Sequence, residues 1–197
     1  MRVFAVDPGK RGYCCFLDNF TANSLQNPYF WPAPVTHGED DEKAEYDIPK
    51  LVDIVWKCCG VKESNPYSAD LIIIEKQAPR RHGSGKFGQG KEGTISSFTA
   101  GFGFGLWLGA MQARGQKVQI VEPLKWKRDM GVLASHSGAD TQYARRKAAD
   151  AKSIEVAQRL GPEIDFRPLE RSPKAKTPSP DKAVSYLLAR YGLEMKK

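Results

Sequence analysis

Three features of this 197-residue chain predict an α/β fold: a mixed five-stranded sheet flanked by helices. The first is an apolar strand, Arg2-Val3-Phe4-Ala5-Val6, that runs into the turn sequence Asp7-Pro8-Gly9. The second is another apolar run, Leu71-Ile72-Ile73-Ile74, that closes on Glu75. The third is the order of periodic segments, β-β-β-α-β-α-β-α-α, in which three antiparallel strands open the sheet. Two neighbouring strands that each end in a carboxylate make an all-oxygen site, which suits hard divalent cations such as Mg²⁺.

The elements follow in order. Residues 2–7 and 12–18 read as a hairpin around Lys10-Arg11-Gly12, and a third strand is expected near 29–35. The acidic stretch 38–45 reads as a loop tip. Asp47 caps a helix from Pro49 that carries Val52, Val55, Trp56 and Cys59 on one face, with Gly60 just past its end. A fourth strand covers 70–75, and a glycine- and lysine-rich loop spans 80–93. A helix then runs from about Ser96 to Arg114, where Gly115 ends it. Residues 117–121 form the fifth strand, and a short helical piece surrounds Trp126-Lys127. Asp140 is a candidate cap for a longer helix with Ala144, Ala148, Ala151, Ile154, Ala157 and Leu160 on its inner side. Residues 162–180 hold five prolines and several basic residues and read as a loop. The last helix is expected from about Pro180 to Tyr191. This layout is that of ribonuclease-H-like domains, and no repeat or second domain is apparent over 1–197.

Hydrophobic residues make up 41% of the chain, enough for a real core. Thirty basic residues against 23 acids give +7, a balance that fits a polyanionic partner such as nucleic acid. No run approaches the roughly 18 apolar residues of a membrane span. The N-terminus reads directly into a strand, so no signal peptide is expected. Cys14-Cys15 and Cys58-Cys59 lack the C-x₂-C spacing of zinc sites and read as small buried hydrophobes in a reducing compartment.

Asp7 alone could be an ordinary turn residue, and Glu75 alone a charge marking a strand end. A third acid changes the balance: Asp181, in the first turn of the terminal helix, meets both if that helix packs beside the first strand. Three carboxylates held together repel unless a metal neutralises them. In two-metal nucleases the ions sit ~3.5–4 Å apart, which makes phosphodiester hydrolysis the natural chemistry on a basic chain. The loop 80–93 offers Arg80, Arg81, Lys86, Phe87, Gln89 and Lys91 as a basic arm, or else as a solvated flexible segment. Lys10, Lys125 and Lys127, with Arg145 and Arg146, extend a candidate phosphate track; any one of them could equally serve only solubility. Two nucleotide motifs fail. Gly83-Ser84-Gly85-Lys86 lacks a glycine at Arg80 and a hydroxyl at Phe87, and Leu106 breaks a G-x-G-x-x-G that starts at Gly101. No nucleotide cofactor is expected. Gly101, Gly105 and Gly109 fall on one helical face instead, a surface for close packing or for a dimer partner.

These residues resemble RuvC-like Holliday junction resolvases, especially the phage-type and chloroplast forms. The resemblance runs through Val6-Asp7-Pro8-Gly9 with Gly12, Glu75-Lys76-Gln77 with Pro79, and Gly103-Phe104-Gly105-Leu106-Trp107-Leu108-Gly109. It continues through Pro123 with Trp126-Lys127, then Asp181-Lys182-Ala183 to Gly192. It implies a homodimer that binds four-way branched DNA and nicks symmetry-related strands with Mg²⁺ or Mn²⁺, two ions per site. Asp7, Glu75 and Asp181 match the family's metal-binding acids. The loop after Glu75 would lie at the junction centre, and the glycine-rich helix near the dimer interface. The family places a further carboxylate three residues after Asp181, where this chain has Val184. Two outcomes stay open: catalysis with three acids, or a site disabled naturally or by design.

The expected activity is therefore a structure-specific endonuclease that resolves Holliday junctions. The alternative is a catalytically impaired branched-DNA-binding protein of the same fold. An actin-like or sugar-kinase ATPase needs two domains around a cleft, and this chain is too short for both. The expected setting is the cytoplasm of a bacterium or phage-infected cell, or a chloroplast after transit-peptide removal.

Overall fold

The computed structural model describes residues 1–18, 28–36, 45–60, 68–77, 90–133 and 141–195, with backbone alone at 90–97 and 142. The strand β1 (Arg2–Val6) turns back as β2 (Tyr13–Asp18), and β3 (Tyr29–Pro32) borders β2. A two-stranded ribbon, β4 (Val35–Thr36) with β5 (Glu45–Tyr46), leads into α1 (Ile48–Cys58). Then come β6 (Leu71–Glu75), α2 (Gly90–Ala113), β7 (Val118–Val121), α3 (Pro123–Asp129), α4 (Gln142–Leu160) and α5 (Pro180–Glu194). The five-stranded sheet has the order β3-β2-β1-β6-β7. Its first three strands are antiparallel, and β1, β6 and β7 run parallel. This is the mixed sheet that the sequence predicts.

The central strands are apolar throughout because both faces are covered. Side chains alternate between faces. Val3, Ala5, Cys15, Leu17 and Ile73 pack beneath Ala183, Leu187 and Leu188 of α5. Phe4, Val6, Cys14, Phe16 and Ile74 face Leu51 and Ile54 of α1 and Trp107 of α2. Adjacent Cys14 and Cys15 thus enter opposite cores. All four cysteines are buried and unpaired with one another, and burial raises their thiol pKa values. No helix among the described residues is long and apolar enough to cross a membrane.

Several elements differ from the sequence reading. Asp47 caps α1 as expected, accepting from the Lys50 N–H at 3.0 Å. The buried stripe of α1 is Leu51, Ile54, Val55 and Cys58, not Val52 and Trp56, which face solvent. Trp56 lies instead under the Arg114 guanidinium, 3.6 Å from its ring centre. The next helix begins at Gly90, six residues before the expected Ser96, and ends at Ala113, with Gly115 at φ 70° in the turn that follows. The cap of α4 is Thr141, which accepts from the Ala144 N–H, while Asp140 lies outside the described residues. Ala157 is buried there together with Ser153 and Val156, and Ala151 is exposed. Residues 162–179 have no regular structure, yet Phe166 reaches the core and packs on Tyr186.

Gly101, Gly105 and Gly109 do share a face, but that face is open: a Cβ on any of them meets nothing within 4 Å. The close approach is at Gly103 instead. A Cβ there would overlap the Tyr46 hydroxyl and stand 2.8 Å from the Pro8 carbonyl oxygen. Tyr46 uses that hydroxyl to donate to the Pro8 carbonyl at 2.8 Å, which ties β5 to the turn after β1. We expect Gly103→Ala to lower the urea-unfolding free energy by about 1–3 kcal/mol through overpacking. Gly105→Ala, in open space on the same helix, should leave it unchanged or raise it by up to about 1 kcal/mol.

Candidate active site

Three elements deliver the three acids that the sequence singles out. Asp7 follows β1, Glu75 ends β6, and Asp181 sits in the first turn of α5. The parallel pairing of β1 with β6 matches Val6 to Ile74, so Asp7 and Glu75 occupy adjacent positions at the same sheet edge. The helix α5 packs across β1 and β2, and Ser179 caps it by accepting from the Lys182 N–H. Asp181 therefore arrives over the same edge. Burial raises Asp7 from the ordinary carboxyl range to about 7, and the negative charges of Glu75 and Asp181 push in the same direction. The Gly9 N–H, which donates to Asp7 Oδ1 at 3.3 Å, and the charge of Lys127 oppose the rise.

The other two acids are held by cations of the chain itself. Glu75 is only 6% exposed and pairs with Lys127 Nζ at 3.1 Å. Asp181 pairs with Arg11 at 3.5 Å. Burial raises the Asp181 pKa; Arg11, Arg171 and Arg146 oppose this, and the charge of Asp150 on α4 adds to it. Among the described residues, no three His, Cys, Asp or Glu side chains stand together as a finished metal site. What the chain offers is Asp7 and Glu75 on adjacent strands, with Asp181 close enough for its charge to act on Asp7; carboxylate oxygens are hard donors of the kind that suits Mg²⁺ or Mn²⁺.

The remaining expected site residues divide. Lys127 pairs with Glu75 and lies about 200° around the helix from Lys125, so the two do not share a face. Lys125 is engaged by the Tyr191 hydroxyl at 3.1 Å and by Asp129 at 3.3 Å. Lys10 stands 5.9 Å above the Tyr46 ring and lines a groove with Glu45, Ile48, Phe98 and Phe102. Arg145 and Arg146 are exposed on α4, and the charge of Arg146 reaches Asp181. Arg80, Arg81, Lys86, Phe87 and Gln89 lie outside the described residues, and Lys91 falls in the first turn of α2. Val184 is partly buried and packs against the core, so the position one turn after Asp181 is apolar in its contacts as well as its chemistry.

The sequence reading missed Arg11, Asp150 and Arg171. Arg11 shares a turn with Lys10, which was singled out, so a local signal existed for it. Asp150 and Arg171 come from distant segments and carry none.

A stability consequence follows for the metal-free chain. The folded Asp7 has a higher pKa than its unfolded counterpart, so its contribution is most favourable below about pH 4. That contribution is lost as pH rises through about 7. Asp7→Asn should remove this decline: at pH 8 in EDTA its melting temperature should exceed wild type by several degrees, and at pH 4 the gap should close. Thermal melts across pH 4–8 check it, and parallel curves for the two proteins would refute it.

No protein-family model and no curated protein sequence matches this chain. Solved structures do. RuvC of Thermus thermophilus superimposes with a TM-score of 0.53 at 16% identity, covering 100% of this chain and 97% of that one. T. thermophilus RuvC in complex with Holliday junction substrate gives a TM-score of 0.48 at 16% identity, over 99% and 96% of the two chains. The chain thus has RuvC as its structural neighbour along its full length, and its five-stranded sheet flanked by helices is the ribonuclease-H-like fold of RuvC.

Proposed function

We propose that this chain is a RuvC-like endonuclease that resolves four-way DNA junctions by paired, metal-dependent nicking of symmetry-related strands. The observation that carries the reading is the convergence of Asp7, Glu75 and Asp181 from three separate elements on one sheet edge. The fold of RuvC and the net charge of +7 support it. Residues 1–197 would form one nuclease domain. Asp7, Glu75 and Asp181 would hold Mg²⁺ or Mn²⁺, which supplies a Lewis acid for the phosphodiester and acidifies water. Lys127 would orient Glu75, and Arg11 would orient Asp181 while opposing the rise that burial imposes on it. Lys10, Arg145 and Arg146 would take DNA phosphates around the site. A second copy would cover the open face of α2, where Phe98, Phe102 and the three exposed glycines lie.

One observation favours a second reading, a branched-DNA binder without nuclease activity: the core packing of Val184 leaves no side-chain donor at that position. A labelled synthetic four-way junction with a matched linear duplex, incubated in Mg²⁺ and in EDTA, separates the two. Paired nicks in the junction alone, abolished by EDTA, support the resolvase; a retarded but uncut junction supports the binder. In the resolvase case, Asp7→Asn and Glu75→Gln should each slow cleavage by about 100-fold or more while retaining junction affinity. Cleavage by either variant at the wild-type rate would remove the acids from the reaction.

A further inference from the structure

The segment before α5 contacts the turn after β1 at a point that neither local sequence nor the carboxylate set explains. Arg171 reaches across the molecule and donates from Nη1 to the Arg11 carbonyl at 2.7 Å. Its Nη2 donates to the Gly12 carbonyl at 2.8 Å and to the Lys10 carbonyl at 3.4 Å. The guanidinium also lies over the Tyr13 ring, 4.5 Å from its centre. One planar fork therefore satisfies three successive carbonyls of the turn that leads from Asp7 into β2.

The other end of this contact is anchored as firmly. Arg171 N–H and Ser172 N–H both donate to the Pro168 carbonyl, which closes the turn that presents the side chain. The adjacent Glu170 accepts from Lys182 Nζ at 2.7 Å, and the same ammonium donates to the Arg167 carbonyl at 3.0 Å. Lys182 is only 4% exposed, so this ion pair is buried on one side and costly to break. Lys182 directly follows Asp181. An unbroken series of contacts thus leads from Asp181 through Lys182, Glu170 and Arg171 to the turn of Asp7. Arg11, whose carbonyl Arg171 holds, closes the circuit by extending its own guanidinium to Asp181.

We propose that Arg171 is a positioning residue that locks the Asp7 turn to the Asp181 segment and so fixes the separation of those two carboxylates. The proposal rests on the reading of Asp7, Glu75 and Asp181 as cation ligands. Arg171 touches neither substrate nor cation in this role. It acts one step further out, by holding the backbone of the turn that presents Asp7, and residues that orient a ligand set without binding the ion affect metal affinity by about 10–100-fold. Lysine does not replace it, because a single ammonium lacks the planar fork that spans the three carbonyls.

The test is a calorimetric Mg²⁺ titration of the full-length chain without DNA, comparing wild type with Arg171→Ala and Arg171→Lys. Cleavage kinetics and junction affinity at several salt concentrations accompany it. The expected result is a Mg²⁺ dissociation constant about 10-fold weaker in both variants. With it should come a lower kcat at saturating junction and an unchanged salt dependence of junction binding. If Arg171→Ala melts below the assay temperature, Arg171→Lys, which keeps the charge and the stem, carries the same titration. Wild-type Mg²⁺ affinity in the variants overturns the proposal. So does a loss of junction affinity with a salt slope shallower by about one, which would make Arg171 a phosphate contact. A wild-type chain that takes up no Mg²⁺ would overturn the cation-site reading itself, an outcome distinct from wild-type binding that the variants share.

Discussion

The site depends on one constraint, the parallel register between β1 and β6. Because Val6 pairs with Ile74, the residues that follow them, Asp7 just past β1 and Glu75 at the end of β6, are carboxylates at the same level. Slipping the register by one residue would turn every core side chain of β6 to the other face, which the two cores forbid. The apolar packing of Val3, Phe4, Ile72 and Ile73 therefore holds Asp7 against Glu75 more firmly than any contact between the acids themselves, which repel. In open α/β sheets the carboxyl ends of parallel strands form the usual ligand crevice, and here that crevice is lined with negative charge.

Charge balance gives the site its character. Glu75 and Asp181 each have a cation of the chain beside them, Lys127 and Arg11. Asp7 accepts from the Gly9 N–H, and burial, reinforced by the charges of Glu75 and Asp181, pushes its carboxyl pKa up to about 7. Carboxylate oxygens of this kind are the donors that hard divalent cations prefer. The partner of Glu75 comes from α3, whose placement follows from Pro123 at its start and from Trp126, wholly buried in the core. Burial of Trp126 thereby turns its neighbour Lys127 toward the sheet edge.

The long connection between α4 and α5 does more than join them. Phe166 enters the core, the Ser179 N–H donates to the Phe166 carbonyl, and buried Lys182 ties Arg167 and Glu170 to α5. A proline-rich stretch loses less conformational entropy on ordering than a flexible one, so these few contacts suffice to hold it. Once held, it becomes a brace between the last helix and the first turn.

The sequence by itself determined the mixed five-stranded sheet and where along the chain its strands and last helix fall. These are written in local periodicity: apolar runs that lead into Asp7 and Glu75, and a Ser-Pro-Asp helix start at Asp181. It also carried the cysteine burial and the Asp47 cap. The tertiary structure decided what periodicity does not encode. On α1, the pattern allowed two adjacent stripes, and only packing against the sheet chose Leu51 and Ile54 over Val52 and Trp56. On α2, the glycine repeat marked a face but not its surroundings, and Gly103, outside the repeat, proved to be the close contact. The pairing of Lys127 with Glu75 left no local trace, because the two lie 52 residues apart. Arg171 gave no signal at all, since the carbonyls it holds lie about 160 residues earlier in the chain. Side-chain pairings across such distances depend on which loops the fold brings together, and no local pattern records them.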